Sequence, residues 1–345
     1  NTALTDLYVE DGTVRGIYVR DTTAPEAAEP RLIRARRGVI LGCGGFDHNE
    51  QMRIKYQRAP ITTEWTVGAK ANTGDGIVAA EKLGAALELM EDAWWGPTVP
   101  LVGRPWFALN ERNSPGSVIV NQAGKRFMNE SMPYVEAGHH MYGGPYGQGR
   151  GPGENVPCWL VFDQQYRDRY IFAGLQPGQR IPQKWLDSGV VVSAGSIAEL
   201  AKKTGVPAAD LAVTVERFNG FARTGVDEDF QRGESAYDKY YGDPTNKPNP
   251  NLAEVKHPPF YAAKLVPGDL GTKGGIRTDV HGRALRDDGS VIEGLYAAGN
   301  VSAPVMGHTY PGPGGTIGPA MVFGYLAALH IAGAAGPASS RTGKD

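Results

Sequence analysis

The chain has 345 residues, 41% hydrophobic and 21% charged, which is enough for a sizeable core and more than one small module, so two domains are expected. Lys and Arg number 35 against 37 Asp and Glu, a net charge of -2 with no run of five like charges, which argues against a nucleic-acid binder or a polybasic membrane anchor. Cys43 and Cys158 lie far apart, with no CxxC and no nearby His pair, so neither a disulfide framework nor a metal site is expected. No stretch approaches the ~18 apolar residues of a membrane span and no leader pattern opens the chain, so a cytoplasmic body is expected, with at most peripheral membrane association.

Apolar positions at Leu4, Leu7 and Val9, then Val14, Ile17 and Val19, flank a Glu-Asp-Gly turn and predict a hairpin. RLIRARRGVILGCGGF follows; its apolar run closing on glycines has the pattern of a central parallel strand buried on both faces. A helix is predicted to start at Asp47 or Asn49 and run from Gln51 to Tyr56. NTGDGIVAAEKLGAAL predicts a second helix, entered through Asn72 to Gly76, with Ile77, Ala80, Leu83 and Leu87 at helical spacing. Gly76 in its first turn implies that something approaches the backbone there.

From about Trp94 to Lys264, aromatic residues, Gly and Pro crowd the chain, and the readable helices are SIAELAKKTG and DLAVTVERFNGFARTG, each stopped by Thr-Gly. AYDKYYGDPTNKPNPNL reads as a long polar loop that either covers a site or is a solvated connection. After Tyr261 the pattern is β again, through GGIRTDVHGRAL, a DDGS turn and GLYAAGN. The last helix, GPAMVFGYLAALHIAGAA, is apolar on nearly every face and is expected inside.

No GxGxxG, GxxxxGK[ST], GxSxG, HExxH or kinase set is present. The strongest local signal is residues 294–329. There a strand ending in Gly299-Asn300 leads through a Gly/Pro loop to a helix start near Thr316 to Gly318, whose free N–H groups favour negative charge. That suits a flavin as well as a phosphate.

The segments RARRGVILGCGGFDHN, NTGDGIVAAEKLGA, SPGSVIVNQAGKRFMNESMPY, GTKGGIRTDVHGRAL and GLYAAGNVSAPVMGHTYPGPGGTIGPAMVFGYLA resemble the flavoproteins grouped with fumarate reductase and succinate dehydrogenase. Within that group, YPGPGGTIGPAM resembles the 3-ketosteroid Δ1-dehydrogenases. The resemblance covers residues 3 to about 334 and implies an α/β fold: an incomplete Rossmann-like FAD-binding domain of the glutathione-reductase type with an inserted α+β catalytic domain. Its segments would be 1–95 (FAD-binding), 96–267 (catalytic) and 268–345 (FAD-binding). In that family the FAD domain begins with a βαβ unit carrying the dinucleotide glycines, which does not precede the hairpin here. The expectation is therefore that a second chain, or a part of the polypeptide not in this sequence, supplies the N-terminal FAD-binding half, and that this chain alone holds FAD weakly.

The activity implied is FAD-dependent introduction of the C1–C2 double bond into ring A of a 3-ketosteroid, with a hydride passing to flavin N5 and a proton to a tyrosine. By the same resemblance, the Tyr310 hydroxyl and the Gly314 N–H polarise the ketone, Tyr134 is the base with Tyr142 the competing choice, and Trp106, Phe107 and Met306 line the steroid. FAD contacts carry over to Gly44, Gly45, Asn72, Thr73, Gly74, Asp75, Gly299, Asn300, Gly315, Thr316, Ile317 and Gly318, with no metal. The electron acceptor stays open. So do two other readings: an ene reductase on a ketosteroid or, with Arg104, Arg112 or Arg126 binding carboxylates, a fumarate-type substrate; and a non-catalytic half of a two-chain flavoenzyme.

Overall fold

Residues 1–23, 25, 29–144 and 151–333 are described in the structure, a computed structural model. They fall into two units, one made of residues 1–57, 68–93 and the chain from Gly271 on, the other of residues 58–67 and 94–270. The segment Arg58–Val67, which lies inside the range 1–95, thus belongs with the second unit.

In the first unit the predicted hairpin is Thr2–Glu10 paired antiparallel with Thr13–Asp21, turning through Asp11 and Gly12, both at positive φ. A third strand, Arg31–Arg34, adds to its edge. The apolar run becomes the short strand Val39–Leu41, parallel to Val291–Ala297 at the end of a three-stranded sheet. This corrects the expectation of a strand buried on both faces, because Ile40 is 40% exposed and one side of the strand has no partner among the described residues. The helix Glu50–Tyr56 starts where Asn49 accepts the N–H of Met52.

The second predicted helix is shorter than its periodicity suggested, Asp75–Glu81, because the chain turns through Gly84 at φ +81° and Leu87–Glu88 pairs as a strand with Gly275–Ile276. What approaches Gly76 is protein: a Cβ there would lie 2.5 Å from Cys43 Sγ and 3.0 Å from Val301 Cγ2.

The last helix spans Ile317–Ala332, and it departs furthest from expectation. Ala327 is its one buried residue, while Met321, Val322 and Tyr325 are exposed. An apolar pattern records that a face resists water, and not which part of a molecule covers it. Ala334 and Ala335, the predicted end, lie outside the described residues.

The second unit is built on a six-stranded sheet in which Phe260–Thr272 pairs with Ala93–Val99, Cys158–Asp163 and Val191–Ala194, and Ser117–Val120 and Trp106–Phe107 form the edges. Cys158–Asp163 and Ser117–Val120 are buried along their whole length, so the sheet is packed on both faces. The helices Ile197–Thr204 and Ala208–Thr224 end on Gly205 and Gly225 in the left-handed region, as the Thr-Gly pairs predicted.

The Pro-rich segment after Ala236 is packed rather than a merely solvated connection. It forms the helix Ala236–Tyr241, and the buried Asn251 then donates to the main-chain oxygens of Asn113 and Asp238 and to Ser131 Oγ. Among the described residues no helix is long and apolar enough to cross a membrane, and no cluster of three His, Cys, Asp or Glu could hold a metal.

The helix Tyr134–Met141 passes over Trp95 at Gly138, where a Cβ would run into Trp95 Cβ and approach its Cγ to 3.2 Å. Gly138→Ala would gain helix propensity at an open position, but here overpacking decides the sign. A loss of about 1–3 kcal/mol is expected, read as a lowered Tm.

Candidate active site

The Gly/Pro loop of the first unit starts from the strand Val291–Ala297, turns at Gly299 (φ +79°), and is pinned where Ser302 donates its N–H and its hydroxyl to Gly299 O. Gly312 and Gly314 take φ of +122° and +96°, and an added Cβ at either, or at Gly318, would meet open space. The Gly314 carbonyl accepts the N–H of Gly318, fixing the first turn of the helix. The N–H groups of Gly314, Thr316 and Ile317 donate to no acceptor among the described residues. Ile317 beside them is 64% exposed, so these donors border apolar surface. A flat, largely apolar group with polar acceptor atoms fits this cradle, which is the donor set expected for a flavin ring.

Just upstream, the loop is held by Lys273, whose side chain is fully buried. Its ammonium lies 3.1 Å from Asp92 Oδ2 and donates to His308 O at 3.0 Å and Thr309 O at 3.4 Å. His308 Nδ1 contacts the same Asp92 oxygen at 3.3 Å. Met306 sits in this loop and its carbonyl accepts both the N–H and the hydroxyl of Thr309.

The other residues assigned to FAD are engaged differently. A Cβ on Gly44 would strike Asn72 Oδ1, one on Gly45 would strike Thr272 Oγ1, and one on Gly74 would lie 2.5 Å from Met52 Sδ. Asn72 Nδ2 donates to Asp47 Oδ2, and the Thr73 hydroxyl donates to Asp75 Oδ1 at 2.6 Å. Packing alone therefore demands these glycines. The N–H groups of Gly44 and Gly45 still have no acceptor among the described residues, so the main chain is what they can offer a cofactor. Asn300 lies on the same unit, with Nδ2 3.0 Å from where a Gly271 Cβ would be.

In the second unit, Pro133 precedes the helix Tyr134–Met141, so Tyr134 opens it. The Tyr134 ring meets the Phe107 ring edge-on, centroids 5.2 Å apart. Phe107 is fixed by Gly96, whose Cβ position its own ring fills. Tyr142 is 1% exposed, packs on Trp95 and donates its hydroxyl to Pro60 O at 2.9 Å. Trp106 is half-buried and donates its indole N–H to Glu111 Oε1 at 2.8 Å.

Two arginines that the sequence reading considered only as carboxylate binders for a fumarate-type substrate organise this region. Arg112, fully buried, donates through Nη1 to Glu130 O and, at 2.6 Å, to Met132 O, so it grips the main chain that enters Tyr134. Arg126 lies between the Glu130 and Asp227 carboxylates, at 2.7 Å from each. Burial opposes its charge, yet those two carboxylates hold the guanidinium above its ordinary range. Neither arginine has a sequence signal beyond its type, because its partners are brought by the fold.

The sequence profile described as FAD binding domain matches residues 1–317. The chain belongs to that family. Its cofactor is FAD, and the chain is 84% identical over 343 residues to the 3-oxosteroid 1-dehydrogenase of Mycolicibacterium smegmatis, covering 99% of this chain and 60% of that protein. It is 40% identical over 315 residues to the 4-oxocyclohexanecarboxylate 2-dehydrogenase of Sinomonas cyclohexanicum, covering 89% of this chain and 53% of the relative. Among solved structures it is similar, with a TM-score of 0.90 and 44% identity, to the 3-ketosteroid delta1-dehydrogenase of Sterolibacterium denitrificans in complex with 1,4-androstadiene-3,17-dione, covering 96% of this chain and 59% of that one. The chain thus spans about 60% of the length of the Mycolicibacterium smegmatis and Sterolibacterium denitrificans proteins.

Glu111 gives a pH-dependent test of the second unit. Burial raises its carboxyl pKa, against the hydrogen bonds from the Ala173 N–H and Trp106. A carboxyl raised in the folded state costs stability progressively as pH rises from its unfolded value through its folded one. Glu111→Gln keeps one acceptor oxygen and never ionises, so its Tm relative to the parent should rise between pH 4 and pH 8. A Tm difference constant with pH would show that Glu111 folds with an ordinary pKa.

Proposed function

We propose that this chain carries out, with FAD bound, the dehydrogenation of a 3-ketosteroid, placing a double bond between C1 and C2 of ring A. What supports this above all is the Tyr310 to Gly314 stretch, where a tyrosine is followed by an N–H that has no acceptor among the described residues and open space where a Cβ would be. The relatives' names speak for the same class, since a steroid and a cyclohexane carboxylate have in common a ring ketone whose neighbouring carbons are oxidised.

The chemistry divides simply. The Tyr310 hydroxyl and the Gly314 N–H donate to the ketone oxygen, and as neutral dipoles they stabilise the enolate that develops when the neighbouring carbon loses its proton. Tyr134 takes the C2 proton. Its competitor is Tyr142, whose hydroxyl donates to Pro60 O. FAD, when bound, supplies the acceptor for the hydride leaving C1. Gly315 to Gly318 and Asn300 would hold it, with Gly44 and Gly45 contributing main-chain donors and Asn72 to Asp75 shaping the turn behind them. Trp106, Phe107 and Met306 supply apolar lining for a flat substrate.

A dicarboxylate substrate is less well served. Arg126 is committed to two carboxylates, and Arg112 is buried with its Nη1 on two carbonyls. The domain limits 1–95, 96–267 and 268–345, with Arg58–Val67 moved to the catalytic part, and a cytoplasmic location remain part of this reading, the latter in keeping with two free thiols. So does a second polypeptide, which the purified protein would reveal by intact mass together with a flavin spectrum.

The test uses the FAD-loaded enzyme, androstenedione and an artificial electron acceptor. Tyr310→Phe should lower kcat about 10²–10³-fold with flavin absorption retained; equal turnover removes Tyr310 from the mechanism. Tyr134→Phe should abolish both dehydrogenation and solvent exchange of the C2 proton, and normal exchange in that variant would reassign the base to Tyr142.

A further inference from the structure

Tyr310 stands in a loop without regular secondary structure, so something other than a helix or ladder must fix where its hydroxyl points. The two residues before it, His308 and Thr309, both have carbonyls that accept from the Lys273 ammonium. We propose that Lys273, braced by Asp92, is a positioning residue that sets the main chain entering Tyr310. The proposal rests on the reading of Tyr310 as a carbonyl-activating donor.

Three features make this more than a buried ion pair. An ammonium has three N–H bonds, and Lys273 has three acceptors for them: Asp92 Oδ2 at 3.1 Å, His308 O at 3.0 Å and Thr309 O at 3.4 Å. Two of the three belong to the loop. The lysine itself is held from both ends, since its own N–H donates to Asp92 O at 3.1 Å while its Nζ reaches the carboxylate of the same residue. Asp92 also receives His308 Nδ1 at 3.3 Å, so the loop is gripped through a side chain as well as through its carbonyls.

The sequence is built to bring these parts together. Gly274 follows the lysine, and a Cβ there would run into Met90 Cα and lie 2.5 Å from Leu89 O. Gly275 is packed as closely against the Val301 carbonyl. The pair of glycines therefore lets the strand after Lys273 lie against residues 89–92 on one side and against the start of the loop on the other. A lysine whose sole task was to neutralise Asp92 would have no reason to put two of its three donors on consecutive carbonyls next to Tyr310.

A charge removed from a buried pair leaves its partner uncompensated, so Lys273→Met alone would confuse positioning with a stranded carboxylate. The informative variant is Lys273→Met combined with Asp92→Asn, which removes both charges and leaves the loop carbonyls without their donor. In the FAD-loaded enzyme this double variant should keep its flavin and a cooperative melting transition. Amide hydrogen exchange should rise about tenfold or more across Met306–Gly315 and stay unchanged elsewhere in the unit. Turnover should fall about a hundredfold with KM within a small factor, as expected when a donor is misplaced by about 1 Å. Adding Tyr310→Phe should then cost far less than it does in the parent.

Parental exchange and turnover in the double variant would overturn the proposal, as would a Lys273→Met defect that Asp92→Asn fully repairs. Loosened exchange together with an innocuous Tyr310→Phe in the parent would instead sink the catalytic reading of Tyr310 while leaving the clamp in place.

Discussion

The role proposed for Tyr310 requires its loop to hold a hydroxyl to within about 0.5 Å with no ladder of main-chain hydrogen bonds to stiffen it, and the loop's carbonyls still have to be paired. In each unit that pairing comes from a fully buried cation. Lys273 takes the carbonyls of His308 and Thr309 before Tyr310, and Arg112 takes those of Glu130 and Met132 before Tyr134. A cation is suited to this because it brings several N–H donors to one point and makes charge-assisted bonds that a neutral side chain cannot match. The cost is desolvation, and the fold offsets it locally. Lys273 has Asp92 beside it. Around Arg112, burial depresses the guanidinium pKa, and the stretch it grips is secured a second time by Glu130, whose carboxylate accepts from Arg126, Arg232 and the Ile119 N–H.

What could be read in the sequence is what is decided locally. The Asp11-Gly12 turn, the Asn49 cap and the Gly205 and Gly225 stops each satisfy orphan backbone groups within a few residues, so the residue types carry the answer. The cation clamps cannot be read that way. Asp92, Lys273 and His308 come from three separate stretches, and a lysine set among glycines looks like any loop lysine until the strand carrying it is placed. The strand Val39–Leu41 and the helix Ile317–Ala332 fail for a different reason. Their apolar runs promise a covered face, and the described residues leave Ile40, Met321 and Tyr325 open.

Glycines show the same divide between packing and function. The resemblance assigned both the Gly44, Gly45 and Gly74 group and the Gly315–Gly318 stretch to one cofactor, because motif matching cannot say what a missing Cβ makes room for. The structure separates them by what that Cβ would meet. At Gly44, Gly45, Gly74 and Gly76 it would meet Asn72, Thr272, Met52 and Cys43, so these positions are glycine for the sake of the protein's own interior. Within the Gly315–Gly318 stretch, Gly315 is also crowded, a Cβ there lying 3.1 Å from Pro311 Cγ. But at Gly318, and at Gly312 and Gly314 just before the stretch, it would meet nothing, and the latter two also carry the positive φ that other residues resist. A glycine kept where there is room for a side chain, and with its N–H unspent at 314, points to something outside the protein's own packing.

The electrostatics of that stretch follow from what is left out of it. The helix Ile317–Ala332 has no acidic residue in its first turn and no side-chain cap on Thr316, so the partial positive charge of its N-terminus is not cancelled by the chain. Lys273 and Asp92, which brace the loop upstream, are buried, with the carboxylate on the ammonium and the ammonium on main-chain carbonyls. The cradle therefore presents fixed dipoles rather than a mobile ion. Fixed dipoles need no reorganisation when negative charge appears in front of them, whereas a flexible charged side chain would pair with the first carboxylate it met. That is the environment the proposed reaction calls for, in which a neutral ketone becomes an enolate without the site having first to bind an anion.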